Sequence, residues 1–280
     1  MITTIIFVAI LGAMVGSFLN VVILRTHKST ASWTKGRSYC VHCTHTLAWY
    51  DLVPIVSYLF LVGRCRYCKK KISIQYPLVE FTTAVLFVLA YIFSVDFTPL
   101  TGGISWHQLA LLGRNVAVVC IMVILFVYDF RWQLIPDQIT LPAIGFFFII
   151  NVFLLPVSHV CSPLSMDCYP LDGWTSALLG AILGGGFFLL QFVISKGKWI
   201  GGGDIRLGAL MGVILGLSGT FFALLGAYMI GALWGIALIV FKKKQLGSAI
   251  PFGTFLSVTT IIVLLWYPQI MSIARLYFFL

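Results

Sequence analysis

Eight acids and two closely spaced cysteine pairs are the groups of this chain that can do chemistry. In a chain that is 60% apolar and 9% charged, an acid is costly wherever it meets lipid, so each one carries information. Asp129, Asp137 and Asp204 stand at the ends of apolar runs. Asp129 lies in LFVYDFRWQLIPDQIT, Asp137 follows Ile-Pro where a helix N-cap belongs, and Asp204 closes WIGGGD. Asp129 and Asp204 are 75 positions apart (204 − 129), and two such carboxylates can meet across a helix bundle. Like charges that close cannot both ionise, so the pair shares a proton. One protonated and one ionised carboxyl together activate water against a peptide carbonyl. The same acids also suit a cation or proton path, or helix caps, and the residues alone leave these readings open. Gly201, Gly202 and Gly203 let backbone approach a neighbouring helix or an extended substrate. Asp51 reads as a turn cap, and Glu80 as facing a polar pocket or pairing with a loop Lys or Arg. Asp96, Asp167 and Asp172 read as solvated loop residues.

The cysteines at Cys40, Cys43, Cys65 and Cys68 form C-x2-C, 21 residues, then C-x2-C. Each pair makes a knuckle, and two knuckles close a tetrahedral four-thiolate site suited to structural Zn²⁺. His42 and His45 are alternative ligands, but four thiolates complete the shell. A loop of about fifty residues has too little core to fold alone, so metal would supply its stability. Cys161 and Cys168 bracket SPLSMD and suit a small disulfide in an oxidising compartment, while Cys120 reads as a packing residue.

These groups must be positioned by membrane helices. A soluble domain carries about 25% charged residues, far above the 9% found here, so a soluble enzyme is excluded. The expected class is an all-α polytopic membrane protein with a small cytoplasmic cysteine-rich zinc-binding insertion. At about 20 apolar residues per span, eight runs qualify: Thr3–Leu24, Pro77–Ser94, Leu109–Tyr128, Ile139–Leu155, Trp174–Ile194, Ile205–Leu217, Phe221–Phe241 and Phe252–Tyr267. The sixth is short, and is expected to tilt, to be half-buried, or to fuse with the seventh across Ser218–Gly219–Thr220. The division expected is a first helix over 1–24, a cysteine domain over 25–76 and a membrane enzyme domain over 77–280.

Of 18 Lys and Arg residues, 16 fall on alternate loops, nine of them between Arg25 and Lys71. Those loops should be cytoplasmic, with both termini outside and Asp129, Asp137 and Asp204 at the cytoplasmic face. Only Arg114 and Arg275 fall on the other side. The net charge of +10 is therefore a topology signal; the lipid bilayer is the expected partner and nucleic acid is not. Small-xxx-small patterns at Gly12/Gly16, Gly180/Gly184 and Gly208/Gly212/Gly216 point to tight helix packing.

Taken in order, these blocks resemble the type IV prepilin peptidases, membrane aspartyl proteases of the GxGD kind. The resemblance runs over nearly the whole chain. It rests on GSFLNVVILR (Gly16–Arg25), both CxxC pairs, LVPIVSYLFLVGRCRYC (Leu52–Cys68) and ISIQYPLVE (Ile72–Glu80). It continues through the D-x7-D of Asp129 and Asp137, GGGDIRLGALMG (Gly201–Gly212) and PFG (Pro251–Gly253). The first knuckle departs from the family's frequent CPxC in carrying Val41-His42, and the loop between the fourth and fifth spans is longer than usual. The resemblance implies that Asp129 and Asp204 are the catalytic pair, with Asp137 outside it. It implies a bacterial inner-membrane enzyme that cleaves the basic leader of a prepilin or pseudopilin after Gly. It also implies N-methylation of the new amine with S-adenosylmethionine, by a half comprising Gly16–Arg25 and the cysteine domain.

Overall fold

The computed structural model describes residues 2–28, 36–95, 105–154, 157–161, 168–241 and 251–278, with backbone alone for Lys28, Leu154, both strands, Arg275 and 277–278. Asp96, Asp167 and Lys242, Lys243 and Lys244 lie outside the described residues. The elements run α1 (Ile2–Lys28), α2 (Val56–Phe60), α3 (Gln75–Ser94), α4 (Trp106–Trp132), α5 (Asp137–Leu154), β1 (Val157–Cys161), β2 (Cys168–Asp172), α6 (Gly173–Ser195), α7 (Gly202–Val240) and α8 (Phe252–Phe278). The class is all-helical apart from the antiparallel β1–β2 hairpin, whose register sets Cys161 opposite Cys168 in the loop read as carrying a disulfide. The side chains of those two cysteines lie outside the described residues.

Among the described residues, six helices are long and apolar enough to cross a membrane, and a shorter apolar helix covers Asp137–Phe153. The sixth and seventh runs are continuous in α7, one of the arrangements expected for the short sixth run, and meet at a break in the helix. The only non-helical residue inside α7 is Gly216, with φ 70° and ψ −173°, two residues before the expected boundary at Ser218–Thr220. That left-handed φ is open to glycine without steric cost. Before the break, Gly208 and Gly212 meet Gly184 and Gly180 of α6 so closely that a Cβ at any of them would overlap a facing carbonyl. This half of α7 therefore runs antiparallel to α6. After it, Thr220 lies beside Gly184 and Tyr228 hydrogen-bonds Gln191, so the second half returns parallel to α6. The reversal brings Tyr228 back to the end where α7 began.

A reversal inside a bundle orphans backbone carbonyls, which must find donors away from water. Arg114 of α4 and Asn151 of α5 supply them. The Arg114 guanidinium donates to the Ile214 carbonyl and the Asn151 carboxamide to the Val213 carbonyl, while Arg114 Nε donates to Asn151 Oδ1 at 3.1 Å. A cation is also favourable at a helix C-terminal end. Arg114 is thus buried in the bundle, not a residue of an outer loop, and casts no vote on topology.

The chain divides into two compact units, Met1–Ile104 and Ser105–Leu280. In the first, α3 packs on α1 rather than grouping with the later helices, so the expected boundary at 76 moves beyond α3. Glycine makes this contact: a Cβ at Gly12 would come within 2.8 Å of Ala84 Cα, and one at Gly16 within 2.8 Å of Glu80 Cα. The second unit is built from α4 to α8. Its core is apolar, around Val118, Met122, Leu125, Phe147, Phe188, Leu210 and Leu256.

Candidate active site and cysteine centre

In the second unit, the end of α4, the α6–α7 loop and the starts of α7 and α8 converge on one cleft of about 420 Å³. Its lining includes Asp129, Gln133, Gln191, Trp199, Ile200, Gly201, Asp204, Tyr228, Pro251 and Phe252. Asp129 and Asp204 both face it, close enough for one carboxylate to feel the charge of the other. Asp129 is 5% exposed, and its Oδ2 accepts the Thr254 N–H at 2.8 Å; the Gly253 N–H also bonds to the carboxylate. These donors are the free amides at the start of α8, where backbone N–H groups have no intrahelical partner. Asp204 is the third residue of α7, and its Oδ2 accepts the Gly201 N–H at 3.2 Å, closing the first turn on itself. Each carboxylate is thus oriented by a helix N-terminus, which also favours its anion.

The α8 start passes close beside Asp129 at Gly253. A Cβ at Gly253 would lie 3.0 Å from Asp129 Oδ2, 3.1 Å from its Cγ and 3.2 Å from Leu207 Cδ2. Gly253→Ala should displace the carboxylate by a few tenths of an ångström, against the roughly 1 Å that costs about a hundredfold in rate. We expect kcat for cleavage to fall about 3- to 10-fold while the purified variant keeps its melting temperature within a few degrees; single-turnover cleavage assays read the first quantity.

The other sequence-selected residues surround the pair. Asp137 opens α5 at the end of the bundle that holds Asp129 and Asp204, does not line the cleft, and forms an ion pair with Arg206 one turn into α7. The three glycines differ. Gly201 lines the cleft in an extended conformation, and Gly203 packs on Ile135 so that a Cβ would lie 3.0 Å from Ile135 Cβ. Gly202 would meet only Arg206 Nη2, at an ordinary 3.7 Å. Ile135 and Asp137 therefore clamp the start of α7 to the α4–α5 turn. Because the Asp137–Arg206 pair is solvent-exposed, Asp137→Asn should reduce cleavage only about two- to fivefold, as measured with purified enzyme and prepilin. The residue types at Gln133, Gln191, Trp199 and Tyr228 gave no motif signal; only their meeting in the cleft picks them out.

In the first unit, Cys40, Cys43, Cys65 and Cys68 come together with all four sulfurs within 4.8 Å of one another. The two knuckles repeat one local design. Cys40 N–H donates to the His45 carbonyl and Thr44 N–H to the Cys40 carbonyl, at 3.0 and 2.9 Å. Cys65 N–H donates to the Lys70 carbonyl and Lys69 N–H to the Cys65 carbonyl, both at 2.9 Å. Thr44 and Lys69 take the matching left-handed φ of 55° and 60°. The Cys40–Cys68 sulfur distance is 3.9 Å, against about 3.8 Å for thiolates bound 2.3 Å from a tetrahedral ion. Burial opposes the Cys40 thiolate, but the backbone N–H groups of Cys43 and His42 bring its pKa down to about 7. The Cys43 thiol, despite the His45 amide, is pushed up to about 11 by desolvation and the neighbouring thiols. Four thiols this crowded ionise together only around a cation.

Asp51 ties the knuckles together. Its Oδ2 accepts the Ala48 N–H at 3.3 Å, capping the 3-10 turn Trp49–Leu52, and its Oδ1 accepts from Arg66 Nε at 2.7 Å. Burial opposes its charge, yet Arg66, Ala48 and Tyr67 together hold its carboxyl below the usual carboxylate range. Among the described residues Glu80 meets neither a Lys nor an Arg: its Oε2 accepts the Ile55 N–H at 2.7 Å, and Ser17 bonds to the same carboxylate. Ile55 holds φ 62°, a costly conformation for a β-branched residue, so the bond to Glu80 pins a strained turn between the knuckles to α3.

Comparison with known proteins agrees with both halves. Residues 10–94 match the family described as Bacterial Peptidase A24 N-terminal domain, and residues 116–236 match the Type IV leader peptidase family. A Bacillus subtilis (strain 168) prepilin leader peptidase/N-methyltransferase is 33% identical over 236 residues, covering 84% of each chain. The chain belongs to the type IV leader peptidase family. Proteins of the same description from Pseudomonas putida and Aeromonas hydrophila are each 31% identical, covering 93% and 94% of this chain and 90% and 91% of theirs. No solved structure matches the chain. The two matched segments of this leader peptidase fall within its two compact units, one holding the thiols and the other the carboxylates.

Proposed function

We propose that this membrane enzyme cleaves the leader from prepilins or pseudopilins with Asp129 and Asp204, and then N-methylates the amine it has exposed. The carrying observation is that both carboxylates face one cleft, each oriented by a helix N-terminus. The scissile carbonyl lies between them. The ionised carboxylate takes a proton from water as the oxygen attacks; the protonated partner hydrogen-bonds the carbonyl oxygen and stabilises its developing charge. The tetrahedral intermediate collapses, the leaving amine takes up a proton, and no covalent enzyme intermediate forms. The pair titrates as a unit, so the proton belongs to both aspartates. The substrate's apolar helix stays in the bilayer, its basic leader lies at the cytoplasmic face, and cleavage follows a Gly. The assignment of this face rests on the basic loops, with both termini outside.

Zn²⁺ held by Cys40, Cys43, Cys65 and Cys68 is the structural cofactor of the first unit, and the four convergent sulfurs fit its tetrahedral shell. S-adenosylmethionine bound by the half comprising Gly16–Arg25 and the cysteine domain would supply the methyl group as its sulfonium methyl, and the exposed amine, neutral when it accepts that group, would give up a proton afterwards. Ion transport through Asp129 and Asp204 is not favoured, since it explains neither the family membership nor the thiol cluster. Mixing the detergent-purified chain with a prepilin and methyl-labelled S-adenosylmethionine tests both activities at once. A shortened, labelled pilin is expected; an uncut prepilin would overturn the peptidase reading, and a cut but unlabelled pilin the methyltransferase reading.

A further inference from the structure

Two uncharged polar side chains enter the cleft from its helical wall. Gln191 comes from the last turns of α6, and Tyr228 from the returning half of α7. They hydrogen-bond one another: Gln191 Nε2 lies 2.8 Å and Oε1 3.0 Å from the Tyr228 hydroxyl. The surrounding wall is aromatic. Tyr228 packs edge-on to Phe187 with centroids 5.7 Å apart, and tilted against Phe252 at 4.9 Å. The phenol also senses the charge of Asp204 across the cleft.

A carboxamide and a hydroxyl satisfied by each other persist in an apolar wall at little cost, but the bond does not use them up. A carboxamide has two N–H donors and two acceptor lone pairs, and Tyr228 engages one of each. What remains is one N–H donor and one carbonyl lone pair on the outer edges of the carboxamide, and each can meet a polar group of a peptide main chain. An extended substrate chain presents N–H and C=O groups along its length, and each must be satisfied where water is excluded. The wall carries no charge, so it does not suit the basic leader.

We propose that Gln191 and Tyr228 are substrate-positioning residues, the Gln191 carboxamide hydrogen-bonding the main chain of the prepilin at the peptide group next to the scissile one. The proposal rests on Asp129 and Asp204 being the cleaving pair. Tyr228 holds the carboxamide plane, and the aromatic wall takes the apolar side chain that follows. Both residues bind; neither takes part in proton transfer.

The test uses the full-length chain in detergent and a synthetic prepilin segment spanning leader, cleavage point and first apolar residues. A second substrate carries an ester in place of the amide at the peptide group adjacent to the scissile bond, which deletes one N–H. Gln191→Leu should raise KM about tenfold on the amide substrate with kcat within about twofold, the signature of lost ground-state binding. The ester should raise KM of the parent enzyme similarly, yet add little to that of Gln191→Leu, because both changes remove the same bond. Unchanged KM in Gln191→Leu, a fall in kcat at constant KM, or fully multiplicative penalties would each overturn the proposal. Tyr228→Phe keeps the ring contacts and should raise KM about threefold; it carries the same comparison if Gln191→Leu does not fold. Asp204→Asn, assayed in parallel, separates the two ideas. An active Asp204→Asn removes the underlying reading, whereas a dead Asp204→Asn beside an unchanged KM in Gln191→Leu removes this proposal alone.

Discussion

Asp129→Asn and Asp204→Asn should each lower prepilin cleavage by about a thousandfold or more, while the variants still insert and purify as folded protein. The size follows from the shared role. Neither carboxyl alone can both take a proton from water and give one to the carbonyl oxygen, and residues that act as a unit lose nearly everything when either is removed. The fold should survive because an asparagine oxygen still accepts the Thr254 N–H at the first position, or the Gly201 N–H at the second. The activities should also separate. A pilin already freed of its leader should still be methylated by both variants, because the carboxylates and the thiols lie in different compact units. Cleavage at the parental rate by either variant would end the dyad reading, and loss of methylation on the pre-cut pilin would show that the two units do not act independently.

Removal of zinc should have the second largest effect. Metal analysis of the purified chain should find about one Zn²⁺ per molecule. Cys65→Ser, at the most buried of the four thiols, should lose it. A structural four-cysteine site contributes about 10–16 kcal/mol of apparent binding energy, and the segment it closes has little else. Trp49, Leu59, Phe60 and Val62 are exposed, so the segment between the knuckles holds few apolar contacts in reserve. We therefore expect Cys65→Ser to lose methylation and to become protease-sensitive between Cys40 and Cys68. Cleavage should persist at least in part, since the second unit keeps its own apolar core. A metal-free protein that remains protease-resistant and methylates pilin would refute the zinc assignment.

Much of this enzyme is legible in one sequence because its demanding groups are few. Acids are rare in an apolar chain, so Asp129, Asp137 and Asp204 stand out at the ends of apolar runs before any geometry, and the family resemblance picks Asp129 and Asp204 from them. Paired CxxC spacing is equally local: each knuckle needs only one turn, whose amides and left-handed closing residue the short motif builds by itself. Helices were legible wherever a long apolar run stood between polar loops, as in α1, α3, α4 and α6.

Four features were not legible, each for the same kind of reason. The reversal between the two runs of α7 turns on a single glycine φ at Gly216, and hydropathy does not register backbone direction. Arg114 counts as a loop charge until the orphaned carbonyls of Val213 and Ile214 are found beside it and its partner Asn151. Glu80 meets a strained backbone amide rather than the cation its charge suggests. Gln191 and Tyr228 are ordinary residues of apolar helices until the reversal at Gly216 brings them together in the cleft. Composition, charge and short motifs determined the class, the cluster of four cysteines and the candidate carboxylates, because those depend on residue type and on spacing within a turn. Tertiary structure decided which helix ends meet, which amides hold each carboxylate and what forms the wall beside them. Those depend on contacts between residues as far apart as Asp129 and Thr254, which no local pattern records.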